Sequence, residues 1–217
     1  MSSFRLNDLC YSYGSRQKDV ISHLSYEFES SKVYSIVGKS GAGKTTLLSL
    51  LSGLAKPTNG FILYDGMDIG KINPYKYRSN YVGVIFQSFN LLPHLTAMEN
   101  VILSMDISGK KIENKKQRAL ELLNSVGLDD AKANRRILKL SGGEQQRVAI
   151  ARTLSYDPAV ILADEPTGNL DGETQNSIID IFRSLAHNEG KCIIIVTHSP
   201  DVARMSDIVY ELGVRKE

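Results

Sequence analysis

The stretch that decides the fold is VYSIVGKSGAGKTTLLSLLSG, residues 33–53. An apolar run that predicts a strand passes through a glycine-rich turn into a leucine-rich helix. Gly38, Gly41 and Gly43 allow the backbone to turn tightly and to aim successive N–H groups inward, and the N-terminus of the helix adds a partial positive charge. This stretch therefore predicts a cradle for phosphate groups.

Two side chains at the start of the predicted helix complete the pattern G-x-x-x-x-G-K-[ST]. Lys44 would reach the β and γ phosphates of a nucleotide, and the Thr45 hydroxyl would ligate a bridging Mg²⁺. The alternative is a chance match in a surface turn rich in Gly, Ser and Lys. The strand before the turn and the helix after it favour the nucleotide site.

The composition is that of an ordinary globular protein, with 217 residues, 42% hydrophobic and 23% charged, and predicts one main domain. A net charge of +2 from 26 basic and 24 acidic residues does not indicate a nucleic-acid partner. Cys10 and Cys192 are the only cysteines, which favours a reducing compartment such as the cytosol. No basic-then-apolar leader opens the chain, and no apolar run approaches the roughly 20 residues of a membrane helix. Any membrane role would therefore need a partner protein.

The first part of the chain predicts mainly β-structure. Residues 4–13 and 20–28 indicate two antiparallel strands separated by a turn at 14–17. A turn cluster at 56–60 precedes a short strand at 61–64, and Asp65-Gly66 indicates a hairpin. Tyr11 and Tyr13 lie shortly before the phosphate strand, where an exposed ring would stack on a base and a buried one would simply pack in the sheet.

The middle of the chain changes from strand to helix. Residues 82–86 predict a short strand that delivers Gln87 to a loop, and residues 97–139 show helical spacing with Gly127 as a stop. Ser141-Gly142-Gly143 forms a second glycine-rich turn that opens another helix. Because this turn lies nearly a hundred residues from Lys44, one nucleotide would use both turns only if the fold, or a second copy of the chain, brings them together.

Two later strands also end in polar side chains. The strand at 159–163 leads into Asp164 and Glu165, and the β-branched run at 191–196 leads into Thr197-His198, with a helix at 172–188 between them and a last strand at 207–212. Ligands collect at the carboxyl ends of parallel strands. Asp164 suits a hold on Mg²⁺, and Glu165 suits deprotonation of an attacking water. His198 is expected to join the same site.

Five motifs in this order, GKSGAGKTT, FQSF, LSGGEQQR, VILADEPTGNLD and VTHS, resemble those of the ATP-binding subunits of ABC transporters over almost the whole chain. The segments FNLLPHLTAMENV and ADEPTGNLD look most like the lipoprotein-release, macrolide-export and antimicrobial-peptide-resistance branch, which has a close cell-division relative. The resemblance implies one α/β domain over residues 1–217. Its P-loop NTPase core would hold a mostly parallel sheet, with an N-terminal antiparallel β subdomain and an inserted helical subdomain at about 88–157. The turn at 30–32, Ser-Ser-Lys, departs from the glycine turn usual in the family.

The resemblance also implies individual roles. Gln87 is the Q-loop residue, Asp164 and Glu165 close the Walker B motif, Asp171 belongs to the D-loop, and His198 is the switch histidine. Glu165, His198, Lys44 and Gln87 would serve catalysis, and Thr45, Gln87 and Asp164 would serve the metal. Tyr13, with Tyr11 as the competing choice, would stack on adenine. The remaining ATP-binding positions are the Walker A loop and the signature turn: Gly38, Lys39, Ser40, Gly41, Ala42, Gly43, Lys44, Thr45, Thr46, Ser141, Gly142 and Gly143.

In the family, two subunits pack head to tail, so that each ATP lies between one chain's Walker A loop and the other chain's signature. The resemblance thus implies an ATPase that binds ATP and Mg²⁺, forms a dimer, and works on the cytoplasmic face of the membrane beneath a separate permease. The expected function is the powering of export or extraction, and the alternative is a transmembrane signalling subunit that moves no substrate. DNA-repair and ribosome-acting relatives fit less well, because the chain has no long coiled-coil insertion and no second ATPase copy.

The docking surface for the permease is expected around residues 89–105. Leu91, Leu92 and Leu95 are predicted to form an exposed apolar patch there.

Overall fold

The computed structural model describes residues 3–14 and 19–213. Most of the turn predicted at 14–17 therefore lies outside the described residues. The strands, in chain order, are β1 Ser3–Tyr11, β2 Ile21–Leu24, β3 Glu27–Glu29, β4 Lys32–Val37, β5 Asn59–Tyr64, β6 Met67–Asp68, β7 Val82–Ile85, β8 Val160–Asp164, β9 Cys192–Val196 and β10 Ile208–Glu211. The α-helices are α1 Lys44–Leu51, α2 Pro74–Asn80, α3 Ala97–Ser108, α4 Lys115–Ser125, α5 Asp130–Ala133, α6 Gly142–Leu154, α7 Gly172–His187 and α8 Pro200–Arg204.

The first sheet is antiparallel and confirms the predicted β opening of the chain. Its order is β2-β1-β5-β6, and β3 also pairs with β1. Phe4 of β1 lies opposite Phe28 on one side and Tyr64 on the other, which fixes the register of the sheet. The prediction of one strand over 20–28 is wrong. The chain forms two short strands, β2 and β3, with a break at residues 25–26. His23, with a φ of 48°, lies within β2 where the register against β1 shifts.

The second sheet contains five parallel strands in the order β10-β4-β9-β8-β7. Its central strands are fully buried, as expected for a parallel sheet covered on both faces. β4, β7, β8 and β9 lead into the phosphate turn, Gln87, Glu165 and His198, respectively. Parallel register therefore delivers all four segments to one edge of the sheet.

The core is divided into two clusters of buried side chains. One joins the antiparallel sheet and α1 to the parallel sheet through residues such as Phe28, Leu47 and Ile194. The other joins helices α3, α4, α6 and α7 to the parallel sheet through residues such as Val101, Ile150 and Phe182. The helical segment at about 88–157 therefore packs its apolar faces against the sheet and against itself.

Several helices differ from the sequence-based prediction. The predicted helical stretch at 97–139 contains α3, α4 and the single turn α5, and Gly127 lies just beyond α4 with a φ of 83°. Helices α2 and α8 were not predicted, because each is short and offers little periodicity. Both carry a start signal that we overlooked: a proline follows Asn73 and Ser199, whose side chains cap the helices.

The turn at residues 30–32 contains a strained backbone residue. Ser31 has a φ of 64°, a left-handed conformation in which glycine is unstrained. Its backbone N–H donates to Lys191 O at 3.0 Å, and this bond holds the turn against the start of β9. The fold therefore keeps the turn geometry with a residue that is less suited to it.

One carboxylate ties β10 to the strand that carries the phosphate turn. Asp207 Oδ2 accepts a hydrogen bond from Val33 N at 2.7 Å and lies 2.9 Å from His187 Nε2. Burial alone would raise the pKa of Asp207, but the bonds from Val33 and His187 outweigh it and lower that pKa. The ionised carboxylate is therefore the form that stabilises the fold.

We expect Asp207→Asn to lower the melting temperature at neutral pH. The folded-state pKa of Asp207 is depressed, so its contribution is fully present above the unfolded value of about 3.9 and disappears as the pH falls through the folded pKa. The difference from the wild type should therefore shrink below about pH 4. Thermal unfolding across pH tests this, with Asp201→Asn, whose partner is the exposed Arg204 three residues on, as the control. A difference that persists unchanged at low pH would contradict this role.

Candidate active site

The turn between β4 and α1 has the geometry of an anion cradle. Gly41 and Gly43 have φ values of 78° and 93°, which side chains with a Cβ rarely adopt. Gly38 is required for a different reason, since a Cβ there would lie 2.6 Å from the Leu212 carbonyl oxygen. Ala42 N donates to Lys39 O at 3.1 Å, which closes the turn. The predicted strand, turn and helix are all confirmed.

Lys44 begins α1 and is only 6% exposed. Its ammonium donates to Gly38 O at 2.8 Å and to Lys39 O at 3.2 Å, so it lies within the loop. It also lies 3.0 Å from His198 Nε2. The two predicted catalytic residues are thus in direct contact.

The two tyrosines differ in exposure. Tyr13 is 66% exposed and its hydroxyl lies 2.8 Å from Thr46 Oγ1, whereas Tyr11 is partly buried. The two rings meet edge to face with centroids 5.1 Å apart. Tyr13 therefore presents its ring beside the phosphate turn, in edge-to-face contact with Tyr11, and is the more exposed of the two rings predicted to stack on a base.

Asp164 ends β8 in the same cleft. Burial raises the pKa of Asp164, and the adjacent Glu165 raises it further, while Lys44, His198 and Thr45 oppose this. Two neighbouring carboxylates with a hydroxyl nearby form an oxygen-rich site in which a divalent cation would relieve the repulsion. The donor chemistry of Thr45 and Asp164 therefore fits Mg²⁺. The described residues contain no group of three His, Cys, Asp or Glu side chains placed to hold a metal ion.

Glu165 is held in an unusual conformation. Its φ is 44°, and its backbone N–H donates to Val196 O at 2.9 Å. The side-chain Oε2 accepts from Thr197 Oγ1 at 3.3 Å and from His198 N at 3.2 Å. Oε1 is buried and has no hydrogen-bond partner among the described residues, and His198 Nε2 lies 3.5 Å away. One oxygen is thus fixed while the other is free to accept a proton.

These residues line one cleft of about 850 Å³. Of the predicted site residues it includes Tyr13, Ser40, Gly41, Gly43, Lys44, Thr45, Thr46, Gln87, Asp164, Glu165 and His198. Gly38, Lys39 and Ala42 complete the turn beneath it.

The cleft also contains residues that we did not predict: Val20, Thr167, Gly168, Leu170, Gln175, Val196 and Ser199. Thr167 and Gly168 follow the two carboxylates after Pro166, so the motif of the two carboxylates could have indicated them. Val20 lies against Gly43, and Gln175 Nε2 donates to Ser199 Oγ at 3.4 Å, but neither position carries a recognisable signal.

The signature turn does not line this cleft. Ser141 caps α6 through a capping box: its side chain accepts from Glu144 N, and Glu144 Oε2 accepts from Ser141 N at 2.8 Å. The bond from Ser141 N lowers the pKa of Glu144. Asp171 caps α7 by accepting from Thr174 N, which lowers the pKa of Asp171. Ser141 and the two glycines thus form a helix start outside the cleft of their own chain, with Ser141 and Gly142 exposed.

The signature turn packs directly against α7. A Cβ on Gly143 would lie 2.4 Å from Thr174 Cγ2, and Thr174 is held in place because its hydroxyl donates to Asp171 Oδ2 at 2.9 Å. Glycine is therefore required at 143 by close approach.

We expect Gly143→Ala to lower any ATP hydrolysis at least about tenfold, since displacements near 1 Å at reacting groups can cost about a hundredfold. Adding Thr174→Ser should recover much of the loss, because serine removes the methyl group but keeps the bond to Asp171. Gly172→Ala, whose Cβ would meet nothing within 4 Å, is the control. Phosphate release checks all three variants, and the absence of recovery in the double variant would contradict the steric explanation.

Comparison with known proteins agrees with this geometry. The family model described as ABC transporter matches residues 21–168. "Uncharacterized ABC transporter ATP-binding protein YclH" of Bacillus subtilis (strain 168) is 45% identical over 213 residues, which cover 98% of this chain and 94% of the relative. A Thermotoga maritima relative with a similar name is 45% identical over 192 residues, covering 87% of this chain and 81% of the relative.

Among solved structures, "Dimeric structure of a post-hydrolysis state of the ATP-binding cassette MJ0796 bound to ADP and Pi" is 35% identical with a TM-score of 0.86. The match covers 96% of this chain and 94% of that one. A second structure of the same protein, titled as a dimer of a bacterial ABC transporter cassette, matches equally well. Given these matches and the cleft formed by its motifs, the chain belongs to the ABC transporter family, as an ATP-binding protein with the ABC ATPase fold.

Proposed function

We propose that this chain hydrolyses ATP and thereby powers export or extraction of a substrate through a separate membrane permease. The observation that carries the ATPase proposal is the convergence of Lys44, Glu165 and His198 in one cleft, with a free buried oxygen on Glu165. A phosphate cradle beside an available general base supports attack of water on a phosphoryl group. The solved relative bound to ADP and phosphate supports the same reaction class.

Each residue would contribute a separate part of the reaction. The N–H groups of residues 38–46 and the Lys44 ammonium would neutralise phosphate charge, and Tyr13 would stack on adenine. Glu165 Oε1 would accept the proton of the attacking water, while the contacts of Oε2 keep the carboxylate oriented. Gln87 and His198 would contact the γ phosphate region. When bound beside Thr45 and Asp164, Mg²⁺ supplies Lewis-acid stabilisation of phosphate charge.

The complete site would require a second copy of the chain. Ser141 and Gly142 are exposed and Gly143 is half-buried at the start of α6, and none of the three lines the cleft of its own chain. A head-to-tail pair would place this helix N-terminus on the partner's nucleotide, where its N–H groups suit an anion. The dimeric structures of the relative support this arrangement.

None of the helices in the described part of the chain has the length and the apolar character of a membrane span.

The predicted docking patch needs correction. Leu91 packs against the helical core cluster and Leu95 is partly buried, so neither forms the exposed surface that we predicted. Because loop residues show no hydrophobic periodicity, the sequence does not indicate which of their side chains are buried and which are exposed. Leu92 remains 48% exposed, and we propose it as the permease contact.

Two measurements test the proposal. The purified chain should release phosphate from ATP in the presence of Mg²⁺ and stop when EDTA is added. Affinity capture from detergent-solubilised membranes of the source cells should recover a protein with several membrane spans. Leu92→Asp should no longer capture this protein. Leu54→Asp changes a leucine just beyond α1 that is similarly exposed, at 55%, and should still capture it. A chain that releases no phosphate would contradict the ATPase proposal, and capture that Leu92→Asp leaves intact would contradict the docking site.

A further inference from the structure

The loop that follows Gln87 is strained. Phe89 and Asn90, two and three residues beyond Gln87, have φ values of 59° and 50°. Two consecutive left-handed residues that are not glycine are rare, and each costs of order 1 kcal/mol that the surroundings must offset. Phe89 also packs its ring against the helical core cluster, so the turn cannot simply relax outward.

Local contacts supply part of the compensation. Phe89 N donates to Phe86 O at 3.0 Å, and Asn90 N donates to Ser88 O at 2.6 Å. These bonds turn the N–H groups of Phe89 and Asn90 inward along the loop. The carbonyl groups of the same two residues point away from them and require donors from elsewhere in the fold.

Arg152 provides those donors from the last turn of α6. Its Nη2 donates to Phe89 O at 2.9 Å, and its Nη1 donates to Asn90 O. A guanidinium is suited to this task because its donors form a rigid fork. Hydrogen bonds from a charged donor are also stronger than neutral ones.

The charged group of Arg152 forms its hydrogen bonds with this loop. Burial lowers the pKa of Arg152, so part of its hydration has been given up. In the described part of the chain no carboxylate forms an ion pair with it, so the two carbonyl oxygens are its principal partners. A partly buried charged group needs hydrogen-bond partners, and Phe89 O and Asn90 O supply them for Arg152.

The far end of the loop is fixed in a similar way. Leu92 N donates to Asn100 Oδ1 at 2.8 Å, and Asn100 Nδ2 donates to Leu92 O at 3.2 Å. The stretch from Phe89 to Leu92 is therefore attached to α6 and α3, while Gln87 projects into the cleft two residues before it.

We propose that Arg152 is a positioning residue for the ATPase reaction, which holds the left-handed Phe89–Asn90 turn and thereby sets the place of Gln87 in the cleft. The inference rests on the proposed ATPase function. It adds Arg152 to the residues that the reaction requires. Arg152 lies at the C-terminal end of α6, more than 60 residues from Gln87 in sequence and outside the motifs that form the cleft.

The test combines removal of the fork with relief of the strain. Arg152→Met should lower kcat about tenfold to a hundredfold, because Gln87 is displaced. The KM for ATP should change less than about threefold, since the phosphate turn is untouched. Arg152→Lys should lie between this variant and the wild type, because a single ammonium replaces the fork.

Adding Asn90→Gly to Arg152→Met should raise kcat at least about threefold, because glycine adopts the left-handed conformation without strain. Ser31→Gly is the matched control, since it relieves a similar φ of 64° in the turn before β4. Added to Arg152→Met, it should leave kcat unchanged. Equal recovery by both glycine substitutions would mean that Arg152 acts only on global stability, and would overturn the proposal.

Amide exchange provides a readout that is independent of activity. Exchange in a peptide spanning residues 86–92 should be faster in Arg152→Met and should return toward the wild-type rate with Asn90→Gly. Wild-type protein that lacks ATPase activity would refute the proposed function, and the exchange result would then still decide the role of Arg152 in the loop. If Arg152→Met does not fold, Arg152→Lys with and without Asn90→Gly replaces it. A kcat of Arg152→Met within twofold of the wild type, or unchanged exchange in this peptide, would overturn the proposal.

Discussion

Replacing Lys44 by alanine is expected to lower ATP hydrolysis by about a hundredfold or more, the size of loss seen when one preorganised charge-stabilising donor is removed. Lys44 is the only buried lysine of the phosphate turn, and its ammonium contacts both the turn carbonyls and His198. The backbone N–H groups alone would leave the β and γ phosphate charge unbalanced. Phosphate release under saturating ATP measures the effect.

The control for this variant is Lys56→Ala, which removes an exposed lysine just beyond α1. Substitution of an exposed residue away from the site usually changes stability by less than about 0.5 kcal/mol, so we expect turnover close to the wild type. Circular dichroism and thermal unfolding should show that both variants are folded. A folded Lys44→Ala protein with near wild-type turnover would remove Lys44 from the mechanism.

Replacing Glu165 by glutamine is expected to abolish turnover while ATP binding is retained. The amide keeps the shape of the side chain and an oxygen that can accept the bonds from Thr197 and His198, but it is not a base. ATP should therefore remain intact between two copies, and the variant should accumulate as an ATP-bound dimer, since the ligand favours the state that binds it.

Size-exclusion chromatography with and without ATP measures this accumulation. Glu113→Gln, an exposed carboxylate in the helical segment, is the control and should behave as the wild type. A Glu165→Gln variant that hydrolyses ATP normally would show that another group activates the water. A variant that binds ATP and stays monomeric would show that the chain does not close as a pair.

Much of the fold and of the cleft could be predicted because the informative residues are local in sequence. In each case an apolar strand is followed directly by a polar or glycine-rich segment: the turn at 38–43, the pair Asp164-Glu165, and His198. Parallel pairing then brings them to one sheet edge without further information.

Other features depend on contacts between distant segments, and the sequence alone could not predict them. Gln175 reaches the cleft from α7 through a bond to Ser199, and Arg152 reaches the Gln87 loop from the end of α6. The exposure of Leu91 and Leu95 was predicted wrongly, because in an irregular loop the direction of a side chain is set by whichever core lies beside it. The break between β2 and β3 falls at Ser25-Tyr26, where the sequence has neither a glycine nor a proline to indicate it.

We propose that the working site is formed by two copies, with Ser141 acting on the nucleotide bound by the partner. The direct test is to mix Glu165→Gln with Ser141→Ala. In a mixed head-to-tail pair, one site combines both defects, and the other combines an intact cleft with an intact signature turn. Loss of the cap at Ser141 costs about 1 kcal/mol, which the folded chain should tolerate.

When the two variants are mixed in equal amounts before ATP is added, half of the first pairs are mixed and one of the two sites in each is intact. We therefore expect an initial rate of phosphate release of about a quarter of the wild-type rate per chain, before pairs of Glu165→Gln accumulate. Each variant alone should be far less active. A mixture whose phosphate release equals the average of the two separate variants would contradict the claim that the signature turn acts across the dimer.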